Sequence, residues 1–217
     1  MKQLKIINGQ VIRFMKIDPS DGQTLYGINL VRAFEARYGF FSSPKSIEEF
    51  DLSNGVTFRH GQYKNRTVID QVKIYNNGIL AEGAAMTSEF YDFISDVVEW
   101  AAKDAGISVS AIDNMPDLYN STLHVESNID FSKYFDRLNE ISSLIDEKLK
   151  SYGSAIPPFQ TAGILLQPNM QGHAPTPFRF ERLMNTPFES NVYFSTSALT
   201  TPDHLDVLTA LENAFRA

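Results

Sequence analysis

Apolar side chains recur at intervals of three and four residues in four stretches of the chain, and this spacing predicts four amphipathic helices. The predicted helices cover residues 24–38, 88–105, 131–152 and the stretch from 201 onwards. Glycine follows the first three, at Gly39, Gly106 and Gly153, as is common where a helix ends. At the start of the fourth, Thr201 offers a capping hydroxyl and Pro202 takes the first helical position.

Each of the last two predicted helices has a defined apolar stripe. In the third helix the stripe consists of Tyr134, Leu138, Ile141, Ile145 and Leu149. In the fourth helix we expect the residues that pack inward to be Leu205, Leu208, Leu211 and Phe215. His204 lies in the first turn of that helix, and we expect it at the surface.

Alternating apolar and polar residues between turn-forming residues predict strands. The predicted strands are 4–7, 11–17, 56–62, 67–76, 79–83, 118–127, 159–167, 178–183 and 191–196. Asn8-Gly9 and Asn77-Gly78 predict two tight hairpins, because a two-residue turn of this type needs positive φ at both positions. No helix lies within 66–84 or 158–196 to make a parallel crossover. The sequence therefore predicts an α+β fold: a predominantly antiparallel sheet with about four helices packed on one face.

Two stretches of the chain resemble each other. Residues 77–98 align without gaps on residues 191–212, a shift of 114 positions. The identical pairs are Asn77 and Asn191, Ala84 and Ala198, Thr87 and Thr201, and Asp92 and Asp206. We therefore interpret residues 1–217 as a single globular domain, and two explanations of the resemblance stay open. One is an internal duplication of 1–106 and 107–217 with pseudo-symmetric halves, and the other is the general similarity of strand-turn-helix units. This order of elements, strands and a helix repeated twice, resembles that of the TATA-binding-protein saddle, although no motif accompanies it.

Composition and charge narrow the function classes. The 217 residues include no cysteine, which excludes disulfides, thiolate metal sites and cysteine nucleophiles. The formal net charge of −7 disfavours nucleic-acid binding, which usually depends on a basic surface. No apolar run approaches the roughly 20 residues that a membrane-spanning helix needs, and the N-terminal apolar stretch is too short for a signal peptide. We expect a cytoplasmic protein that does not enter membranes.

Sequence motifs for nucleotide cofactors and for common hydrolases are missing. The chain contains no GxGxxG, GxxxxGK[ST], GxSxG or HExxH. No cofactor and no catalytic residue is therefore assigned, and the sequence leans away from an enzyme.

One pattern is compatible with a metal site. His124 and Glu126 alternate on a predicted strand and point to the same side, and His173 follows 49 residues later. This order is similar to the ligand order of the double-stranded β-helix oxygenases, in which Arg182 would bind a substrate carboxylate. The chain departs from that family because a long helix follows the pair directly. The favoured interpretation is a solvated polar face of a strand, with no metal.

Residues 59–66 are the compact basic stretch of the chain. Phosphate or base contact there would use Arg59, His60, Tyr63, Lys64 and Arg66. The alternative is a polar connection between two strands, since solvated charge runs are common.

The loop at residues 168–177 is long for a connection between strands. It contains His173 and leads into a strand where Arg179 and Glu181 share one side, followed by Arg182. Long loops often carry function, so these residues form a candidate binding site. A plain connector is the alternative.

Together these features predict a non-catalytic binding protein that acts through a protein partner or through self-association as a two-fold dimer. The alternatives are a non-haem metal enzyme using His124, Glu126 and His173, and a nucleic-acid or nucleotide binder using residues 59–66.

Overall fold

A computed structural model describes residues 1–19, 27–46, 48–112, 114–134, 136–153, 158–169 and 175–216. In this part of the chain there are four α-helices and a nine-stranded antiparallel sheet, so the predicted α+β class is confirmed. The strands are β1 Lys2–Pro19, β2 Val56–Tyr63, β3 Thr67–Tyr75, β4 Gly78–Gly83, β5 Ile107–Ala111, β6 Leu118–Glu126, β7 Gly163–Leu166, β8 Phe178–Arg182 and β9 Val192–Ser197. The helices are α1 Gly27–Tyr38, α2 Thr87–Asp104, α3 Asp136–Ser151 and α4 Thr201–Ala214.

The chain divides into two compact units. The first, here the A unit, comprises Ile6–Thr122 and Ala198–Thr201. The second, the B unit, comprises Met1–Lys5, Leu123–Ser197 and Pro202–Ala217.

The A unit contains a large aromatic core. Its strands follow the order β2-β3-β4-β1, and β5 also pairs with β1. On α1 and β2, Phe34 and Phe58 pack at a centroid distance of 4.6 Å, and Phe40 stacks 5.2 Å from Phe34. On α2, Phe90 and Phe93 are fully buried. The apolar stripes that predict α1 and α2 are thus the faces that these helices bury.

The first strand corrects the hairpin predicted at Asn8-Gly9. β1 continues through both residues, and Gly9 pairs with Gly83 of β4. A Cβ atom on Gly9 would lie 2.2 Å from the carbonyl oxygen of Ala85. Glycine occupies this position because another backbone segment passes close by, and not because a turn needs positive φ.

The second Asn-Gly pair lies beside a hairpin, but not in its turn as predicted. Tyr75 pairs with Gly78, so the connecting residues are Asn76 and Asn77. Gly78 belongs to β4, where an added Cβ would lie 2.7 Å from the carbonyl oxygen of Arg13. Close strand packing again explains the glycine.

The B unit has a smaller aromatic core. Its strands follow the order β6-β9-β8-β7. Phe180 of β8 and Tyr193 of β9 stack at 4.3 Å, and Phe131 meets their rings edge-on at 4.9 and 5.5 Å. From α4, Leu208 is fully buried.

Thr87 and Thr201, which the 114-residue alignment pairs, make reciprocal hydrogen bonds. The Thr87 amide donates to Thr201 Oγ1 at 3.1 Å, and the Thr201 amide donates to Thr87 Oγ1 at 2.8 Å. Both residues are fully buried. The contact satisfies one first-turn amide of α2 and one of α4, which have no partner within their own helix. The internal duplication itself stays a prediction.

Replacing Thr201 with valine should lower the free energy of unfolding by about 2 kcal/mol, because the buried Thr87 amide loses its acceptor. Chemical denaturation measures this change. Thr209→Val is the control, since Thr209 is exposed and bonds only within its own helix. Equal stability of the two variants would contradict the prediction.

Candidate functional site

The apolar stripe of α3 lies at the protein surface. Leu138, Ile141, Leu144 and Ile145 are between 38% and 55% exposed. An amphipathic helix of a globular protein normally turns such a stripe to the core. Here the described part of the chain leaves it uncovered, while the preceding Tyr134 packs against Phe215 at 5.1 Å.

The edge strand β7 is the second exposed apolar element of the B unit. It stands last in the strand order, and within the described residues only β8 pairs with it. Leu165 and Leu166 are 54% and 59% exposed. An uncharged, apolar edge strand is a template for pairing with another strand, and most proteins protect such edges.

These two elements are connected through the segment between them. The Phe159 amide donates to the Asp146 carboxylate of α3 at 2.9 Å, four residues before β7 begins. Of the 17 exposed large apolar side chains among the described residues, ten lie between Tyr134 and Met184. Seven of these ten lie on α3, on β7 or at Phe159 between them, and we call these seven the α3–β7 surface. They are Leu138, Ile141, Leu144, Ile145, Phe159, Leu165 and Leu166.

The residues of the alternative metal site have other contacts. Glu126 forms an ion pair with Lys2 at 3.2 Å, and His124 meets the Phe194 ring edge-on at 6.2 Å. Burial, and to a lesser degree the charge of Lys5, lowers the pKa of His124. His173 lies outside the described residues. Within the described ranges, no three His, Asp or Glu side chains cluster closely enough to hold a metal ion.

The basic stretch forms the end of β2 and the turn that follows it. Arg59, His60 and Lys64 are exposed, but Tyr63 is buried and its hydroxyl donates to the Asp92 carbonyl oxygen at 3.3 Å. The Tyr63 ring is therefore not presented for stacking on a base. Nearby, Arg66 lies 3.8 Å from Glu89, which reduces the positive charge of the turn.

The two arginines of β8 have different surroundings. Arg179 is exposed and lies 3.8 Å from Glu181, on the solvent side of the strand. Arg182 is 8% exposed and donates to Asp130 at 2.7 Å. It also donates to Asn191 at 3.2 Å and lies over the Tyr193 ring. Arg182 thus stabilises the B unit from within.

The prediction that His204 lies at the surface is wrong. His204 is fully buried on α4, and its Nε2 atom lies 2.8 Å from Ser195 Oγ. This pair is the arrangement of a serine nucleophile and its base, but the hydrogen bonds run the other way. Ser195 donates its one hydroxyl proton to the Arg179 carbonyl oxygen at 2.8 Å, so Nε2 must donate to Ser195. Because both residues are also inaccessible to solvent, we interpret the pair as structural.

The inward face of α4 is more polar than its sequence indicates. Its fully or nearly fully buried positions are Thr201, His204, Leu208 and Glu212. These four positions recur at intervals of three and four residues, so the sequence does contain a signal that His204 and Glu212 face inward. The leucines at 205 and 211 obscure this signal, because apolar residues indicate a buried face more strongly than polar ones do.

No protein-family model, no curated protein and no solved structure matches this chain. Among the described residues, none of the helices is long and apolar enough to cross a membrane.

Proposed function

We propose that this chain is a non-catalytic interaction protein that acts through the α3–β7 surface. The observation that carries this proposal is the exposed apolar stripe of α3, together with the open, uncharged edge of β7 in the same unit. A cluster of exposed aliphatic side chains along one helix stripe is unusual on a protein that works alone and typically marks a contact site. The aliphatic side chains offer no group that would bind or activate a polar substrate.

The occupant that we infer is a second copy of the chain. A strand edge satisfies its backbone groups by pairing with another strand, and two identical edges can do so about a two-fold axis. Antiparallel pairing of β7 with β7 would set Ile164 opposite the partner's Leu165 and extend the sheet. The exposed residues of α3 and Phe159 would then supply the apolar core that a stable interface needs.

Sedimentation velocity tests this proposal on the full chain. Over roughly 1–100 µM, a range in which moderately tight dimers dissociate, the wild type should change from one to two copies per particle. Ile141→Asp should raise the dissociation constant about tenfold to a hundredfold, because it removes one buried apolar side chain and adds a charge to the interface. Ile141 is 55% exposed, so the monomer should keep its fold.

The matched control is Val207→Asp, which makes the same kind of change at an exposed apolar position of α4. It should leave the dissociation constant unchanged. Leu165→Lys places a charge on the β7 edge and should weaken association as Ile141→Asp does. A wild type that stays monomeric at the highest concentration would refute self-association, as would equal effects of Ile141→Asp and Val207→Asp. A monomer that forms a complex with another protein, lost in Ile141→Asp, would make that protein the occupant.

A further inference from the structure

The A unit contains an apolar cavity between its sheet and its two helices. The cavity volume is about 60 Å³, and residues from β1 to β5, α1, α2 and the segment before β2 line it. Its inner wall includes the buried side chains of Val31, Phe34 and Ala101. Its outer wall includes Leu52 and Trp100, which are half-buried. The cavity therefore reaches from the core towards the surface.

Among the described residues, the side chains that line this cavity are aliphatic or aromatic, and none is charged. The indole N–H of Trp100 is the one side-chain hydrogen-bond donor among them, and a single donor does not hold a buried water, which typically makes about three hydrogen bonds. The space exceeds the roughly 10–15 Å³ that one water needs, but a buried water also needs two to four hydrogen-bond partners, which this lining does not supply. Unfilled space in a core also loses dispersion contacts along its walls. An apolar group that entered would recover those contacts without displacing bound water.

We propose that this cavity is a binding site for a hydrocarbon group, such as the alkyl end of an amphiphile. Because the described lining has no charged side chain and no polar group besides the Trp100 indole N–H, the apolar end of a ligand is what the cavity recognises. The polar head stays in water beyond the half-buried outer wall. This inference concerns the A unit alone and does not depend on the proposed self-association.

Trp100 provides a direct readout, because it lines the cavity and is the one tryptophan of the chain. Titration with straight-chain alcohols from methanol to octanol should shift its fluorescence saturably. Affinity should rise about fourfold with each added methylene until the cavity is full. Because a cavity of about 150 Å³ holds a benzene ring, a volume of about 60 Å³ should be full after roughly two to three carbons. Octanoate and octylamine, which share the tail and differ in head charge, should bind within a few-fold of octanol. A strong preference for one head group would overturn tail-only recognition.

A substitution that fills the cavity separates a binding site from unspecific solvation. Ala101→Leu adds volume inside the cavity, whereas Ala102→Leu makes the same change at the adjacent, exposed position of α2. The first should reduce octanol affinity at least tenfold, and the second should leave it unchanged. If Ala101→Leu does not fold, Val98→Phe fills the outer part of the same cavity and serves in its place.

The result that would overturn the proposal is equally specific. An unsaturable fluorescence change, or a saturable one that persists in the filling variant, would show that the alcohols act on the surface or on the solvent. Absence of any change in Trp100 emission up to the solubility limit of octanol would also overturn the proposal, because it would show that no alkyl chain enters the cavity. The oligomeric state is measured separately, so either proposal can fail without the other.

Discussion

Replacing Glu212 with alanine is expected to lower the free energy of unfolding by about 3–5 kcal/mol, the cost of breaking a buried ion pair from one side. Glu212 is 1% exposed and forms an ion pair with the Met1 amino group at 2.6 Å. It also accepts hydrogen bonds from Ser127 Oγ and the Asn128 amide, both at 2.8 Å. The variant would leave the amino group and these two donors without their acceptor. Urea unfolding at neutral pH measures the loss.

The same carboxylate makes the stability of the protein sensitive to acid. Burial acts to raise the pKa of Glu212, but the hydrogen bonds from the amino terminus, Asn128 and Ser127 outweigh it and lower the pKa to about 2. The pKa in the unfolded chain is near 4.5. A depressed pKa in the folded state contributes stability that is fully present above the unfolded value and is lost as the pH falls towards 2. This group should account for a loss of about 3 kcal/mol between pH 5 and pH 2.

Glu212→Gln and Glu126→Ala are the informative comparisons. The glutamine variant cannot titrate, so the part of the acid sensitivity that Glu212 causes should disappear from its stability profile. Glu126 is a half-exposed glutamate whose ion pair with Lys2 lies at the surface, and its removal should cost less than about 1 kcal/mol. A pH profile of Glu212→Gln that parallels the wild type would contradict the assignment.

Local sequence signals predict most of the helices and strands correctly. The predictions are wrong where contacts between residues distant in sequence determine the structure. The stripes of α1 and α2 are continuous and end at glycines, so both helices and their buried faces follow from the sequence. The Asn8-Gly9 pair misled because glycine has two uses, and only the nearby Ala85 backbone shows which one applies. The short alternation in β5 gave no clear signal by itself, and that strand exists through its pairing with β1.

The candidate site was predictable only in part. The sequence shows the α3 stripe clearly, but periodicity does not tell whether a stripe faces the core or solvent. The exposure of Leu138 and Ile141 depends on what the rest of the B unit leaves uncovered. Conversely, Tyr63 and Arg182 are candidate binding residues by residue type, but the fold buries both. Residue type indicates which contacts a side chain can make, and burial decides whether a ligand can reach it.

Arg182→Met should lower the free energy of unfolding by about 3 kcal/mol, because it leaves the Asp130 carboxylate without its buried cation. The substitution also removes the donor to Asn191 and the guanidinium that lies over the Tyr193 ring at 5.1 Å. Methionine fills most of the space of the arginine stem, so the loss reports the charge and hydrogen bonds more than a cavity. Thermal and urea unfolding measure the effect.

Arg179→Met is the matched control, since it makes the identical change two residues earlier on the solvent side of β8. Arg179 pairs loosely with Glu181 at 3.8 Å, and both are nearly half exposed, so we expect a change within about 0.5 kcal/mol. Arg182→Lys should recover only part of the stability, because lysine keeps the charge but lacks the planar group that bonds Asp130 while lying over Tyr193. If Arg182→Met were as stable as the wild type but had lost binding to an anionic ligand, Arg182 would be a binding residue, as the sequence predicts. Equal destabilisation by both methionine variants would show that the burial of Arg182 does not determine its contribution.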